Sequence, residues 1–280
     1  MAEHWEKYAR RWQPGTTASP QILPDVRVEH PGDEWTASAH KELGGHAYGL
    51  TREAVANFDE FIAEHLLDSY LPARSTEGLE IGSGGSRLTA LLLPRTETLH
   101  AAEPSKAMLR HLERRFAGTD SLRLYHTDGM TLPSLRPASL DYVFAFDVFI
   151  HFEPRLVYWY LRQIRDLLKP GGTSIITYAN VLTSIGWHKF ESSLEENLQR
   201  RFDPVAFGVM CPQLMARFLQ ALRMEVIFTD LGLIPRDAIA VFRKPLDRYA
   251  VIDKGVAMET SEWPSSAKGS TQQRPEAGFC

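Results

Sequence analysis

The chain of 280 residues contains little cysteine, no long apolar segment and no excess of basic residues. Its only cysteines are Cys211 and Cys280, so neither a disulfide framework nor a cysteine-rich zinc site is expected. No apolar run approaches the ~18 residues that a membrane-spanning helix needs. The first residues, Met-Ala-Glu-His-Trp-Glu-Lys, lack the apolar core of a secretory signal. The sequence therefore predicts a cytoplasmic protein with no membrane partner.

The charge balance argues against a nucleic-acid partner. The chain has 31 Lys and Arg against 35 Asp and Glu, a formal net charge of −4. A domain that binds phosphate backbones usually carries a basic surplus. The cluster of Arg110, Arg114 and Arg115 is typical of the solvated face of a helix. We therefore expect a small-molecule partner and no nucleic acid, while the oligomeric state stays open.

The dominant pattern in the chain is the alternation of short apolar segments with amphipathic ones. The predicted strands cover 78–82, 97–102, 121–126, 140–146, 173–178, 224–230 and 237–243. The predicted helices cover 2–12, 51–71, 86–93, 105–117, 154–168 and 212–223. Strands that alternate with helices of this length form βαβ units, whose right-handed crossovers place helices on both faces of a parallel sheet. The predicted class is α/β, with a seven-stranded, mostly parallel sheet.

The remaining segments predict the domain organisation. Residues 1–50 form an N-terminal helical cap or lid that begins with an amphipathic helix, and its aromatic residues, among them Trp5 and Trp35, are candidates to line the acceptor pocket. Residues 51–250 form the main domain, interrupted by an insertion at 180–209 after the fifth strand. Residues 251–280 are rich in Ser, Gly, Pro and Gln and predict a disordered tail.

A glycine-rich turn at residues 80–86 follows the first predicted strand. Glycines at 82 and 84 allow the backbone to approach a ligand and to adopt conformations that other residues resist. In open α/β sheets, ligands bind outside the carboxyl ends of the strands. A turn of this kind alone does not separate a cofactor site from an ordinary strand–helix connection.

Two further residues narrow the choice of cofactor. The dinucleotide fingerprint needs a glycine three residues after Gly84, and this chain has Arg87 there. Glu103 ends the next predicted strand, about twenty residues beyond the loop, where a carboxylate accepts hydrogen bonds from both ribose hydroxyls. The pattern favours a nucleoside cofactor other than a nicotinamide dinucleotide.

Four segments in consistent order resemble the motifs of class I S-adenosylmethionine-dependent methyltransferases. They are Glu80-Ile81-Gly82-Ser83-Gly84, Glu103-Pro104-Ser105-Lys106-Ala107-Met108-Leu109, Thr127-Asp128-Gly129-Met130 and Leu140-Asp141-Tyr142-Val143-Phe144-Ala145-Phe146-Asp147. The resemblance covers residues 51–180 and 211–243 and implies a Rossmann-like fold with S-adenosyl-L-methionine as cofactor. The chain departs from the family at Ser86, which stands where a third glycine is usual.

The resemblance also implies roles for individual residues. It places Glu80 near the methionine amino group, Glu103 at the ribose, and Met108 against the adenine. Asp128 is expected to accept a hydrogen bond from the adenine amino group, while the next backbone amide reaches the ring. The predicted cofactor-binding residues are Glu80, Gly82, Ser83, Gly84, Glu103, Pro104, Met108, Asp128, Gly129, Met130 and Phe146.

The sequence gives less evidence for the residues that bind and activate the methyl acceptor. Methyl transfer to a hydroxyl needs an aligned acceptor and a group that removes its proton. Asp147, His151 and His188 are the candidate catalytic residues, with His151 favoured as a general base because an imidazole titrates near neutral pH. A structural role for His151 is equally compatible with the sequence. No spacing of ligands indicates a metal site.

The expected reaction is O-methylation of a hydroxyl on a natural product or glycan. Methylation of nitrogen or carbon with the same cofactor is an alternative, although the Asn/Asp-Pro-Pro-aromatic motif of nucleic-acid N-methyltransferases is absent from residues 146–149. A second alternative is a non-catalytic domain that binds the cofactor and retains the fold. A third, a nicotinamide-dependent oxidoreductase, is disfavoured by Arg87.

Overall fold

The computed structural model describes residues 2–12, 29–31, 52–192, 194, 198 and 207–246. These residues belong to one compact unit that ends at Leu246. The predictions for Trp35, for most of the cap and for the tail at 251–280 lie outside the described residues. The same holds for much of the insertion, of which the helix at its start is described.

The helices of the described ranges surround seven strands. The helices are α1 (Ala2–Arg11), α2 (Arg52–Ala56), α3 (Phe58–Ile62), α4 (Asp68–Tyr70), α5 (Arg87–Leu92), α6 (Lys106–Arg115), α7 (Pro154–Leu167), α8 (Ser184–Ser192) and α9 (Pro212–Ala221). The strands are β1 (Ser75–Ile81), β2 (Thr96–Glu103), β3 (Leu122–His126), β4 (Leu140–Ala145), β5 (Leu168–Ala179), β6 (Glu225–Asp230) and β7 (Asp237–Arg243). Short 3₁₀ turns cover Leu93–Arg95 and Phe149–His151, and a π-helical turn covers Ala63–Leu67.

The seven strands form one sheet in the order β3-β2-β1-β4-β5-β7-β6. Strands β1 to β5 pair in parallel, whereas β7 runs antiparallel to both β5 and β6. The strand order reverses between β1 and β4, because β2 lies on one side of β1 and β4 on the other. The prediction of a Rossmann-like, mostly parallel seven-stranded sheet is confirmed.

Side chains that alternate along the central strands build a core on each face of the sheet. On one face, Val143 of β4 packs in a cluster with Val157 and Leu161 of α7. On the other, Phe144 packs in a cluster with Phe58 and Ile62 of α3. Side chains alternate between the two faces along a strand, and helices present apolar side chains every three or four residues. Helices can therefore pack on both faces of the sheet.

Two predicted boundaries need correction. The segment 51–71 is not one continuous α-helix, because Asn57 adopts φ −109° and ψ 38°, and the π-helical turn follows at Ala63. Strand β5 begins at Leu168, not at residue 173. Lys169 to Gly172 end the preceding helix as predicted, but they already lie within β5, where the register against β4 shifts and Gly171 has a φ of +81°.

Candidate active site

The candidate site lies at the carboxyl ends of the parallel strands, beside the point where the strand order reverses. A cavity there is lined by Ile81 at the end of β1, Glu103 at the end of β2, Thr127 after β3 and Phe146 after β4. Ligands of open α/β sheets bind in this crevice because neighbouring strand ends diverge there. The topology therefore gathers the predicted motifs into one place.

The glycine loop uses its glycines as the sequence predicts. Gly82 and Gly84 have φ values of +71° and +48°, in the left-handed region where side chains are strained. A Cβ at Gly82 would collide with the side chain of Val148, whereas the space around Gly84 is open to within 3.9 Å. Both glycines line the cavity, so the loop backbone is exposed to whatever fills it.

Ser86, which stands in place of the third glycine, also adopts a left-handed conformation, with a φ of +79°. Its hydroxyl accepts a hydrogen bond from Arg115 Nη1 at 2.8 Å and contacts the carbonyl of Gly85. Helix α5 begins at the next residue, Arg87, whose guanidinium forms an ion pair with Asp59 at 2.5 Å. The departure from glycine is therefore accommodated by side-chain contacts at a strained backbone.

Glu103 presents a buried carboxylate to the cavity. Its Oε1 accepts a hydrogen bond from the amide of Ser105 at 2.9 Å, and its Oε2 accepts one from the amide of Gly84 at 3.1 Å. Burial raises the pKa of Glu103 to about 7, although both amides favour the ionised form. Each carboxylate oxygen retains acceptor capacity for hydroxyl donors, as binding of a ribose requires.

Glu80 lies behind the loop and is absent from the lining of the cavity. It is 3% exposed, and its Oε2 accepts a hydrogen bond from the hydroxyl of Thr89 at 2.6 Å. Burial raises the pKa of Glu80 to about 7, opposed by Thr89 and reinforced by the negative charge of Glu103. The structure thus places Glu80 where it supports α5 and the loop.

The segment after β3 contributes backbone to the cavity. Gly129 lines it with a φ of +80°, whereas Asp128 and Met130 are exposed and do not. Asp128 Oδ1 accepts hydrogen bonds from the amides of Met130 at 2.8 Å and Thr131 at 2.6 Å, which lower the pKa of its carboxyl. Asp128 therefore shapes the turn that presents Gly129.

The opposite wall of the cavity follows β4 and carries Phe146, Asp147 and His151. Asp147 has a φ of +60°, unusual for a residue other than glycine. Its amide donates a hydrogen bond to Thr177 Oγ1 at 2.8 Å, and its Oδ1 accepts one from Arg236 Nη2 at 2.6 Å. These contacts fix the strained residue between β5 and the loop before β7.

Arg236 belongs to a buried charge network that the sequence does not signal. It is 3% exposed, and its guanidinium also donates to both carboxylate oxygens of the fully buried Asp237, at 2.7 and 2.5 Å. The ring of Phe207 lies under it, with the centroid 5.8 Å from Cζ. Burial raises the pKa of both Asp147 and Asp237, against the attraction of the guanidinium.

His151 ends the 3₁₀ turn after β4 and contacts the N-terminal helix. Its ring lies 5.5 Å from that of Trp5, centroid to centroid, and both side chains line the cavity. The sequence suggests Trp5 as a lining residue but does not indicate that Tyr160 lines the cavity. The ring of Tyr160 stacks on that of Phe152 at 5.0 Å, centroid to centroid. Burial raises the pKa of Tyr160. Tyr160 is signalled only as an apolar position of α7.

The cavity brings most of the predicted residues together. It is lined by Gly82, Gly84, Glu103, Pro104, Met108, Gly129, Phe146, Asp147 and His151. The predicted residues outside its lining are Glu80, Ser83, Asp128, Met130 and His188. His188 is half-buried on α8. The lining residues that the sequence analysis does not single out are Ile81, Ala102, Thr127, Leu132, Val148, Phe152 and Tyr160.

The loop also fits a ligand that bears polar groups. Ser83 is 6% exposed, and its hydroxyl has no hydrogen-bond partner among the described residues. A buried hydroxyl without a partner costs free energy unless a ligand or water satisfies it. Together with the Glu103 carboxylate and the open space at Gly84, it suits a nucleoside cofactor with hydroxyl and carboxylate groups.

Two other kinds of feature are absent from the described ranges. No cluster of three or more His, Cys, Asp or Glu side chains there is arranged to hold a metal ion. None of the helices in those ranges combines the length and apolar character that crossing a bilayer requires.

Comparison with known proteins identifies the domain. Residues 79–174 match the family model described as a methyltransferase domain. No curated protein sequence matches the chain. That range contains the glycine loop, Glu103, Asp147 and His151, so both walls of the cavity belong to the matched region.

Solved structures share the fold at low sequence identity. A putative sarcosine dimethylglycine methyltransferase from Galdieria sulphuraria has a TM-score of 0.54 at 14% identity, covering 69% of this chain and 86% of that one. A putative methyltransferase from Bacillus halodurans has a TM-score of 0.52 at 12% identity, covering 66% and 98%. SpnF, a (4+2)-cyclase, has a TM-score of 0.52 at 14% identity, covering 70% and 82%. At such identities the likeness shows the fold alone.

Proposed function

We propose that this chain, whose residues 79–174 match a methyltransferase domain, is a class I S-adenosylmethionine-dependent methyltransferase that methylates a hydroxyl group of a small molecule, a natural product or a glycan. The observation that carries the proposal is the arrangement of one cavity with two unlike walls. One wall presents the glycine loop and Glu103, and the other presents Asp147 and His151. A cofactor and an acceptor that occupy these walls would meet in the middle.

The first wall has the groups that would hold the cofactor. The Glu103 carboxylate would accept hydrogen bonds from the ribose hydroxyls, and the Ser83 hydroxyl and the loop backbone would bind the methionine carboxylate. Met108 and Gly129 would lie against the adenine. When bound, S-adenosyl-L-methionine supplies a sulfonium methyl group that is open to in-line displacement. In our proposal Glu80 and Asp128 act indirectly, by fixing the loop and the turn.

The second wall has the groups that would orient an acceptor and take its proton. His151 would accept the hydroxyl proton at a ring nitrogen as the acceptor oxygen forms its bond to the methyl carbon, which balances the charge of the reaction. Asp147, held by Arg236 and Thr177, would orient the acceptor or the imidazole. The Trp5 ring beside His151 would cover the acceptor and exclude water.

Three features support a small acceptor. The cavity is lined mainly by apolar and aromatic side chains, among them Trp5, Phe146 and Phe152, which suit a ring system. The N-terminal helix covers one side, which leaves little room for a macromolecule. The formal charge of −4 disfavours nucleic acid. The cytoplasmic location and the role of residues 1–50 as a lid are part of the same proposal.

The proposal is tested by incubating the protein with a labelled methyl donor and a panel of phenols, sugars and polyketides, with amine analogues in parallel. Label on a hydroxyl supports it, and label confined to nitrogen or carbon replaces it with the corresponding alternative. Binding of S-adenosylhomocysteine without turnover on any acceptor would favour a non-catalytic domain, or a different reaction on the same fold.

A substitution separates chemistry from binding. His151→Ala should slow turnover by about 10²–10⁴-fold, the usual contribution of a general base, while the affinity for S-adenosylhomocysteine stays unchanged. His65→Ala is the matched control, because His65 is exposed on the π-helical turn, is absent from the cavity lining, and has both its hydrogen bond and its ring contact with Phe61. A fully active His151→Ala variant would remove this histidine from the mechanism.

A further inference from the structure

The carboxylate of Glu6 connects the N-terminal helix α1 to the main domain through several hydrogen bonds. Its Oε2 accepts hydrogen bonds from the hydroxyl of Ser105 at 2.9 Å and from the backbone amide of Ala107 at 2.8 Å. Its Oε1 accepts one from Arg10 Nε, also at 2.8 Å. Glu6 and Ser105 are 99 positions apart in the sequence. A residue of α1 thus satisfies a free amide in the first turn of α6, where a negative charge is stabilised by the helix dipole.

The turn that Glu6 holds is also the turn that holds Glu103. The amide of Ser105 donates to Glu103 Oε1 at 2.9 Å, and the hydroxyl of Ser105 accepts a hydrogen bond from the amide of Met108 at 3.2 Å. Ser105 therefore links the Glu6 carboxylate to the carboxylate that faces the cavity. Two residues on either side of Ser105, Pro104 and Met108, both line the cavity.

Trp5, the neighbour of Glu6 in α1, extends in a different direction. Its ring lines the cavity and lies 5.5 Å from that of His151 on the opposite wall. Two successive residues of one helix thus contact the two walls: Glu6 contacts the turn of the first, and Trp5 contacts the histidine of the second. Helix α1 cannot leave Ser105 without also moving Trp5.

The Glu6 carboxyl is ionised in its contact with Ser105 and Ala107. Although burial opposes ionisation, the hydrogen bonds from Ala107, Arg10 and Ser105 lower the pKa of Glu6 to about 2. Arg110 of α6 lies 3.7 Å from its Oε1 and adds to the attraction. The Glu6 carboxylate is therefore charged near neutral pH.

We propose that Glu6 is a positioning residue that clamps α1 over the cavity, so that closure by Trp5 and seating of Glu103 occur together and retain the bound cofactor. The inference rests on the cofactor site proposed above, but not on the identity of the acceptor. In the clamped state the cofactor leaves only after the Glu6–Ser105 and Glu6–Ala107 hydrogen bonds break. Release is then slowed, while the cofactor still enters through the open state.

The test is the rate of S-adenosylhomocysteine release, followed by stopped-flow tryptophan fluorescence on the full chain. Glu6→Gln should raise the dissociation rate constant by about tenfold, because a charge-assisted contact to two donors becomes a neutral one. The association rate constant should change by less than about twofold. Glu3→Gln is the matched control: Glu3 lies on the same helix, is 80% exposed and pairs only with Lys7 in the described contacts. It should leave both rate constants unchanged.

A second measurement ties the effect to the clamp. Hydrogen exchange of the Ala107 amide should slow when S-adenosylhomocysteine binds to the wild type, and this protection should be lost in Glu6→Gln. Equal dissociation rates for Glu6→Gln and the wild type would overturn the clamp and leave the cofactor site standing. Equal acceleration by Glu3→Gln would overturn it as well. Failure of the wild type to bind S-adenosylhomocysteine would overturn both the cofactor site and the clamp.

Discussion

The two walls of the cavity are built in different ways. On the first wall, Glu103 accepts hydrogen bonds from the amides of Gly84 and Ser105, and the lining groups come from strand ends and from the turns and helix that follow them. On the second wall, Asp147 is held by Arg236, a residue 89 positions away, and His151 contacts Trp5 from the N-terminal helix. The first wall is assembled mainly by local backbone, to which Glu6 adds a long-range contact, and the second wall is held by side chains from distant parts of the chain.

This difference separates a self-contained part of the site from a part that depends on distant segments of the chain. A strand–loop–helix unit carries its own hydrogen-bond partners. Long-range contacts such as Arg236–Asp147 depend on the particular loops of this chain. We infer that the first wall determines the cofactor and the second determines the acceptor, which agrees with a fold that supports several reactions.

The largest expected effect on stability comes from removing Arg236, the side chain that holds the second wall. Arg236→Met leaves the carboxylates of Asp147 and Asp237 buried without their guanidinium and should lower the free energy of unfolding by about 3–5 kcal/mol. Urea denaturation measures it. Arg217→Met is the control, because Arg217 is exposed on α9 and pairs with Gln220, and it should change stability by less than about 0.5 kcal/mol. A loss below about 1 kcal/mol for Arg236→Met would show that the network does not hold the wall.

The next effect breaks the first wall without unfolding the protein. Glu103→Ala should weaken S-adenosylhomocysteine binding by about 1–3 kcal/mol, since it removes hydrogen bonds between the ribose and a charged acceptor. Titration calorimetry measures it, with Glu97→Ala as control, an exposed residue of the same strand. Unchanged affinity in Glu103→Ala would end the assignment of this residue to the ribose.

The pH dependence of the free energy of unfolding tests the first wall, because burial there disfavours the ionised form of the Glu103 carboxyl. The pKa of Glu103 rises from an ordinary value of 4.5 to about 7 in the folded chain, so the folded state binds more protons than the unfolded state between these values. Stability contributed by this group is present below pH 4.5 and is lost as the pH rises through 7. Glu103→Gln should remove that loss.

The measurement compares the free energies of unfolding of the wild type and Glu103→Gln at pH 5 and pH 7.5, without cofactor. The variant should gain about 2 kcal/mol on the wild type over this interval. Glu80 remains in both proteins, but the Glu103 charge contributes to its raised pKa, so Glu103→Gln also lowers the pKa of Glu80 and changes the difference in the same direction. If the difference between the two free energies of unfolding stayed constant with pH, it would contradict the burial of an ionisable Glu103.

The smallest effect concerns the departure from the family pattern in the glycine loop. Ser86→Gly relieves a left-handed backbone at φ +79° but loses the hydrogen bond from Arg115. These terms oppose each other at about 1–2 and about 0.5–1.5 kcal/mol, so stability should change by less than about 1 kcal/mol. Thermal unfolding measures the change. A larger loss would mean that the Arg115 contact, not the turn, holds the loop.

The two walls also differ in how far the sequence predicts them. The strand over 237–243, the loop at 80–86 and Glu103 follow from alternation and local spacing, because a strand end and its loop are adjacent in the chain. Arg236 and Glu6 have no such signal, since their partners are 89 and 99 positions away. The start of β5 differs from the prediction for a related reason: Lys169 to Gly172 end a helix, but Leu168 already pairs with Leu140 of β4.

The most direct test of the account is a crystal structure of the chain with S-adenosylhomocysteine. The account predicts the ribose hydroxyls within hydrogen-bond distance of the Glu103 carboxylate, the adenine against Met108 and Gly129, and the sulfur facing Asp147 and His151. A nucleoside bound elsewhere, or a ribose that does not contact Glu103, would contradict the central claim that the two walls of this cavity hold the cofactor and the acceptor.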